Sequence, residues 1–400
     1  MAHLPDARAN LAAVGVAKAI AVFFESPIIM LLHASNVLSA TWASRRALWR
    51  FMLLAIGGLT LALVLFTLPP VFLWIGTRVF GLDPAIAARG QVVLALMAIW
   101  PAAIGWRRYF QGQLIRHGHG GEVGRASVAR LALVAAVAAF GLWLQVPGMW
   151  LAGGALALGV LAEAALVTLA ARRLGVATMP DVPSTQPLPT DVGGVWRFYW
   201  PLANSMLVVW GGRAVLVAIV ARAVDGPIAL AAWPAAWGMV LLVANATRMV
   251  QQVIIRNRGQ ASDSLLLRFA LSVGLGCSAW LLLTATTPVG AWVLAAFVGN
   301  DPALLAGVTP VVLVCAAVPL AVALQNAIQG FLIGEGRTGQ VNMATWLGTS
   351  AMLGAAALAV AAGWPGALAA AAAMGLALLV ELGMLGWSLR APSPQRQPAA

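Results

Sequence analysis

Lys18 and Glu25 lie seven residues apart in one apolar run, residues 10–35. On a helix that spacing is two turns along a single face. An ionised side chain at the centre of a membrane helix costs about 2.5–3.5 kcal/mol, so both are expected to face a polar interior. Glu25 precedes Ser26-Pro27, where a proline kinks the helix and frees a backbone carbonyl. A buried carboxylate there suits proton or cation coupling; the same pair would also serve as a structural ion pair between helices. Arg213 follows Trp210-Gly211-Gly212, and two glycines let a ligand or another helix approach the backbone. Its guanidinium could grip an anion bidentately or neutralise Glu25 or Glu163 of the other half. Arg248, in Asn245-Ala246-Thr247-Arg248, either joins it or snorkels to the interface.

Trp106-Arg107-Arg108-Tyr109-Phe110-Gln111 combines two guanidinium groups with aromatic rings. It reads as an interfacial anchor or as an electropositive cytoplasmic mouth, with Gln111 and Gln329 lining the route. The candidate substrate residues are therefore Arg213, Lys18, Glu25, Arg248, Arg107, Arg108, Gln111 and Gln329. Glu163 and Glu381 recur late in the last apolar run of each half, a duplication that favours an architectural role. Trp233 and Trp237, one turn apart, could line a cavity. His117-Gly118-His119 lacks the further ligands of a zinc site, and Gly118 to Gly124 follows no strand and has no Walker lysine. No Ser/His/Asp or Cys/His set stands out, and Cys277 and Cys315 sit in apolar runs. The expectation is a protein without metal, cofactor or catalytic residues, not an enzyme.

The elements that position these side chains are set by composition. Charged residues make up 9% and apolar ones 62%, with mean hydropathy +0.90. Soluble domains carry about a quarter charged residues, so an all-α polytopic membrane protein is expected. Eleven apolar runs are long enough to cross a bilayer, near 10–35, 48–68, 90–112, 128–146, 149–171, 196–221, 227–250, 264–286, 306–333, 341–362 and 365–389. The formal charge of +12 comes almost wholly from arginine, Lys18 being the one lysine. Membrane topology explains it better than nucleic-acid binding. Arginines gather in alternate loops, at Arg45, Arg46 and Arg50, at Arg116, Arg125 and Arg130, at Arg172 and Arg173, and at Arg256, Arg258 and Arg268. The positive-inside rule places those loops and the C-terminus in the cytoplasm, and the N-terminus outside.

The chain also repeats itself. Gln111-Gly112-Gln113-Leu114-Ile115 recurs as Gln329-Gly330-Phe331-Leu332-Ile333, and Pro101 matches Pro319 at the same interval. Upstream, Asp6 and Leu11 match Asp225 and Leu230 with one residue of slip. Two parallel-repeat helix bundles follow, related by an axis along the membrane normal. The expected organisation is an N-terminal lobe of five spans at 1–173, a cytoplasmic linker at 174–194, a C-terminal lobe of six spans at 195–390, and a disordered cytoplasmic tail at 391–400. Eleven spans of an expected twelve suggest that the first copy lacks its opening helix.

Asn10-Leu11-Ala12-Ala13, Phe24-Glu25-Ser26-Pro27-Ile28-Ile29-Met30-Leu31, Trp100-Pro101-Ala102-Ala103-Ile104 and Arg107-Arg108-Tyr109-Phe110-Gln111-Gly112-Gln113-Leu114-Ile115-Arg116 resemble the progressive ankylosis protein family and its bacterial relatives. That branch belongs to the superfamily of multidrug and toxin extrusion (MATE) transporters and polysaccharide flippases. The resemblance implies two six-helix lobes in a V with a cavity opened alternately to each side. Export of a small anion such as pyrophosphate, citrate or a nucleotide is implied, with proton or cation coupling possible in principle. Lipid-linked oligosaccharide flipping and multidrug efflux are the alternatives. It also implies a multi-pass monomer in a bacterial inner membrane, partnered by its substrate, an anion or a lipid-linked glycan, and by the bilayer. Either the start has been placed too late or the protein lacks that span: an in-frame coding sequence upstream of Met1 for about twenty apolar residues would show the former, and a stop codon directly before Met1 would exclude it.

Overall fold

The computed structural model describes residues 7–78, 84–181, 184, 187–298 and 302–390. The tail at 391–400, Asp6, Asn300 and Asp301 lie outside the described residues, as does part of the 174–194 stretch. The described chain is helical. Eleven helical stretches are long and apolar enough to cross a membrane and match the eleven expected runs; four of them, Ile20–Leu38, Ala87–Arg116, Ala232–Asn257 and Leu305–Gly334, each consist of two consecutive helices.

The chain divides into two compact units, Met1–Met206 and Leu207–Ala400. The first contains α1 (Ala7–Ile29), α2 (Leu31–Leu38), α3 (Trp42–Phe66), α4 (Pro69–Arg78), α5 (Pro84–Leu96), α6 (Trp100–Arg116), α7 (Gly120–Trp143) and α8 (Gly148–Arg173). Helix α9 (Val192–Val220) carries the chain from the first unit into the second. There follow α10 (Gly226–Arg248), α11 (Val250–Asn257), α12 (Asp263–Thr286), α13 (Pro288–Val298), α14 (Pro302–Val314), α15 (Val318–Gly334), α16 (Thr338–Ala361) and α17 (Gly366–Arg390). Helices α5, α6 and α7 have the same bounds as α14, α15 and α16, shifted by the interval that separates Gln111 from Gln329. The pairings repeat too: α2 on α6, α1 on α5, α6 on α8 and α7 on α8 recur as α11 on α15, α10 on α14, α15 on α17 and α16 on α17.

Local chemistry explains where the helices start and stop. Thr41 caps α3 by accepting from the Ser44 amide, and Ser262 caps α12 by accepting from the Leu265 amide. Helices α6 and α15 both end on a left-handed glycine, Gly118 (φ 84°) and Gly336 (φ 76°). The next amide closes the turn in each case, His119 onto the Leu114 carbonyl and Arg337 onto that of Leu332. Where α16 ends at left-handed Gly363 (φ 80°), α7 ends at Gln145 (φ 55°). The interior of each unit relies on close helix approach. A Cβ at Gly112 would lie 2.4 Å from Ser35 Cβ, and one at Gly330 would lie 2.9 Å from Ile254 Cβ.

Three features go beyond the sequence reading. The first apolar run is two helices that break at Met30 rather than one kinked at Pro27, and its copy breaks likewise at Met249. The carbonyl that Pro27 deprives of an amide, Phe23 O, instead accepts from the Ser26 hydroxyl at 2.9 Å. Short helices α4 and α13 fill connections where no element was expected. The start of the 174–194 stretch is anchored: Arg45 donates to the carbonyls of Val176 and Ala177 at 3.1 and 2.8 Å, and Asp181 accepts from the Trp42 amide at 2.8 Å.

The repeat predicts a reciprocal exchange. A non-glycine residue in the left-handed region costs about 1–2 kcal/mol, so Gln145→Gly is expected to raise the melting temperature and Gly363→Gln to lower it. Thermal unfolding in detergent measures both.

Candidate functional site

Each unit holds one acidic side chain deep in its last helix, and the candidate residues sort themselves around these two carboxyls. In the first unit Glu163, on α8, is 2% exposed. It forms ion pairs with Arg107 of α6 and with Arg130 of α7, the latter at 3.2 Å. Gln111 Nε2 donates to it at 3.0 Å and the Ser127 hydroxyl at 2.9 Å. Arg108 donates to Gln111 Oε1 at 3.2 Å. Arg107, Arg108 and Gln111 are thus brought together, but around an internal acid: Arg107 and Gln111 are buried, and their hydrogen-bonding groups are turned to Glu163. The i, i+4 spacing of Arg107 and Gln111 puts both on the face of α6 turned towards α8. Glu163 therefore has its counter-charges within its own unit, where the sequence reading had offered Arg213.

Glu25 is partly buried on α1, and its Oε2 is enclosed with no hydrogen-bond partner among the described residues. The cations that act on it are Arg107, Arg108, Lys18 and Arg130. Lys18 itself is exposed. Pro27, two residues on, presents its carbonyl to the Tyr199 hydroxyl.

In the second unit Glu381, on α17, is 8% exposed and accepts a hydrogen bond from Gln325 of α15. Gln329 lies one turn further along α15 and accepts from Gln251 Nε2 at 3.4 Å. Arg213, on α9, is partly buried, with its guanidinium carbon 5.1 Å from the ring centre of Trp210 and 5.9 Å from that of Trp237. Trp237 stacks in turn on Trp233, 5.2 Å between centroids and 23° between planes. Among the described residues no carboxylate pairs with Arg213 or with Arg248, which is exposed on α10. Two other arginines of this unit are engaged: Arg258 and Arg337 both bind Glu335, at 2.6 and 3.3 Å. The described residues contain no group of three or more His, Cys, Asp or Glu placed to hold a metal ion.

Three side chains escaped the sequence reading as site residues: Arg130, Ser127 and Gln325. The signal for the last was present, because Gln325 follows Arg107 by the repeat interval just as Glu381 follows Glu163.

No protein-family model and no curated protein matches the sequence. Solved structures do. A MOP-superfamily transporter from Pyrococcus furiosus Vc1, whose binding pocket is described as having reversed polarity suggestive of a different function, superposes with TM-score 0.72 at 15% identity. The match covers 95% of this chain and 87% of that one. A MATE transporter in its straight conformation gives TM-score 0.74 at 15% identity, over 95% of this chain and 87% of the other. The eukaryotic MATE transporter AtDTX14 gives 0.70 at 13%, over 96% and 88%. The chain thus has the polytopic, all-helical fold of the MATE transporters.

The two acids predict unequal losses. Removing one partner of a buried, hydrogen-bonded ion pair costs about 3–5 kcal/mol, and Glu163→Gln strands two guanidinium groups. It is expected to lower the melting temperature sharply, whereas Glu381→Gln, which replaces a hydrogen bond to an uncharged amide, is expected to change stability by about 1 kcal/mol or less. Thermal unfolding of the two variants side by side is the check.

Proposed function

We propose that the chain is a secondary transporter exporting an organic or phosphate-bearing anion, pyrophosphate-, citrate- or nucleotide-like, by alternating access. Arg213 is its principal anion-binding side chain and Arg248 a second. The observation that carries this reading is that among the described residues Arg213 has no carboxylate within ion-pair distance, while the first unit's Arg107 and Arg130 are both paired with Glu163. A guanidinium kept in an apolar helix without a counter-ion is costly unless it serves a ligand. The fold supports transport, and one structure of this fold is itself described as differing in pocket polarity. The resemblance of residues 10–125 to the ankylosis branch supports a small anion as cargo. The loop arginines support a C-terminus on the cytoplasmic side of a bacterial inner membrane, and a monomer acting without enzymatic chemistry completes the reading.

The test is counterflow of labelled pyrophosphate, citrate and ATP in proteoliposomes. Flux of at least one is expected, falling about tenfold or more in Arg213→Ala and partly retained in Arg213→Lys, since lysine keeps the charge but loses the bidentate fork. Flux of organic cations instead would favour multidrug efflux, and uptake of none of these would favour a lipid-linked oligosaccharide flippase.

A further inference from the structure

Glu163 and Glu381 occupy one register of the repeat, yet both arginines that pair with Glu163 are replaced around Glu381, and Thr345 stands in place of Ser127. Gln325 stands where the first unit has Arg107, and Gly348 where it has Arg130. Glu163 consequently receives two guanidinium groups, an amide and a hydroxyl. Glu381 receives one uncharged donor, the Gln325 amide, and among the described residues no cation lies within ion-pair distance of it. Gly348 supplies the space for the acid: a Cβ there would stand 2.3 Å from Glu381 Cγ and 2.6 Å from its Oε1.

The groups facing Glu381 are few. Helices α14, α15 and α16 contain no Asp, Glu, His, Lys or Arg. The Cys315–Ala317 turn adds one buried thiol, and α10 adds Arg248. On α17 itself the other charge is Arg390, more than two turns away at the helix end. Helix α9 adds Arg213, and the packing shows how it comes near. Gly212 lies against Thr349, where a Cβ would stand 2.4 Å from Thr349 Cγ2. Thr349 is the residue next to Gly348, so adjacent positions of α16 touch the residue before Arg213 and the side chain of Glu381.

A carboxylate with a single amide donor in an apolar bundle gains little by staying ionised. Once protonated, its O–H can donate to the Gln325 amide oxygen while its carbonyl oxygen accepts from Nε2, a two-bond pairing that the carboxylate cannot make. We infer that Glu381 is a proton-binding site whose occupancy sets the affinity of Arg213 for anions. The ionised carboxylate draws on the Arg213 guanidinium through the helix packing. A proton taken from water onto a carboxylate oxygen removes that competitor and leaves the guanidinium for an external anion. Proton and anion then favour each other reciprocally, as linkage requires. The linkage to anions rests on the transport reading above; the proton site does not.

Infrared difference spectra of the purified full chain between acid and alkaline pH test the proton site. A component of the protonated-carboxyl band is expected in the wild type that is missing from Glu381→Gln and retained in Glu25→Gln. Calorimetric titration with pyrophosphate, citrate and ATP across the same pH range tests the linkage. Relative to Glu381→Gln, which cancels the ligands' own protonation, wild-type affinity is expected to fall by up to about tenfold per pH unit as Glu381 ionises. Gln325→Arg recreates the first unit's Arg107 pairing, should hold Glu381 ionised, and is expected to abolish both that component of the band and the pH slope; it also serves if Glu381→Gln fails to fold. An identical carboxyl band in the wild type and Glu381→Gln overturns the proton site. Parallel pH slopes in those two forms overturn the linkage. Absence of binding by every form at every pH removes the anion reading and the linkage with it, and the infrared comparison then decides the proton site alone.

Discussion

An ionised side chain inside a bundle of apolar helices has to be matched by opposite charge or by several hydrogen bonds, and this constraint organises the whole chain. Its strongest expression is Glu163. Arg107 and Gln111 reach it from α6, and Ser127 and Arg130 from α7, so one carboxyl on α8 ties three helices together. Hydrophobic packing alone is non-directional, and in a membrane it gives helices little reason to prefer one rotation over another. The Glu163 cluster supplies that preference. A rotation of α6 by one residue would carry Arg107 and Gln111 off the carboxyl together.

The duplication gives an internal comparison that a single bundle could not. The second unit keeps the helix order, the pairings and the position of the acid, but the partners around Glu381 have been thinned from four to one. Helix orientation there rests on shape instead: Gly348 accepts the bulk of Glu381, Gly212 accepts Thr349, and Gly366 lies against Ala223 and Ala229. Close backbone approach through small residues does the work that charge does in the first unit. The same backbone frame therefore carries a locked acid in one copy and a chemically available one in the other.

Much of this was legible in the residues. Apolar run length located all eleven spans, though not the breaks that divide four of them into two helices, and the recurrence of Gln111-Gly112 as Gln329-Gly330 identified the copies. Helices α4 and α13 were not legible, because runs of 10 and 11 residues beside prolines look like loop when judged by length against a bilayer. The break at Met30 was invisible for a different reason: Pro27 announces a kink, but Ser26 repairs the lost hydrogen bond and the helix runs on for two more residues. For the site, the types of the charged residues were informative and their pairings were not. Arg107 and Arg108 looked like an interfacial anchor because sequence shows where an arginine sits along a helix, not which way a seven-atom side chain folds. Arg130 sits more than thirty residues from Glu163 along the chain, and only the packing of α7 on α8 joins them.

What allows Arg213 to remain without a carboxylate is the geometry of its aromatic neighbours. A guanidinium interacts with an indole through the π-face of the ring, and it offers its own plane in doing so. The stabilisation is about 0.5–2 kcal/mol, part of the cost of keeping the charge out of water. It leaves the N–H edge uncommitted, whereas a carboxylate partner such as Glu163 occupies that edge, as it does for Arg107. Trp210 and Trp237 thus hold the cation while leaving its hydrogen-bonding groups to something else. Planar, oxygen-rich anions are the ligands whose geometry matches two parallel N–H donors. The contrast is then between Arg107, whose N–H groups are spent on an internal acid, and Arg213, whose guanidinium carbon lies over two indole rings.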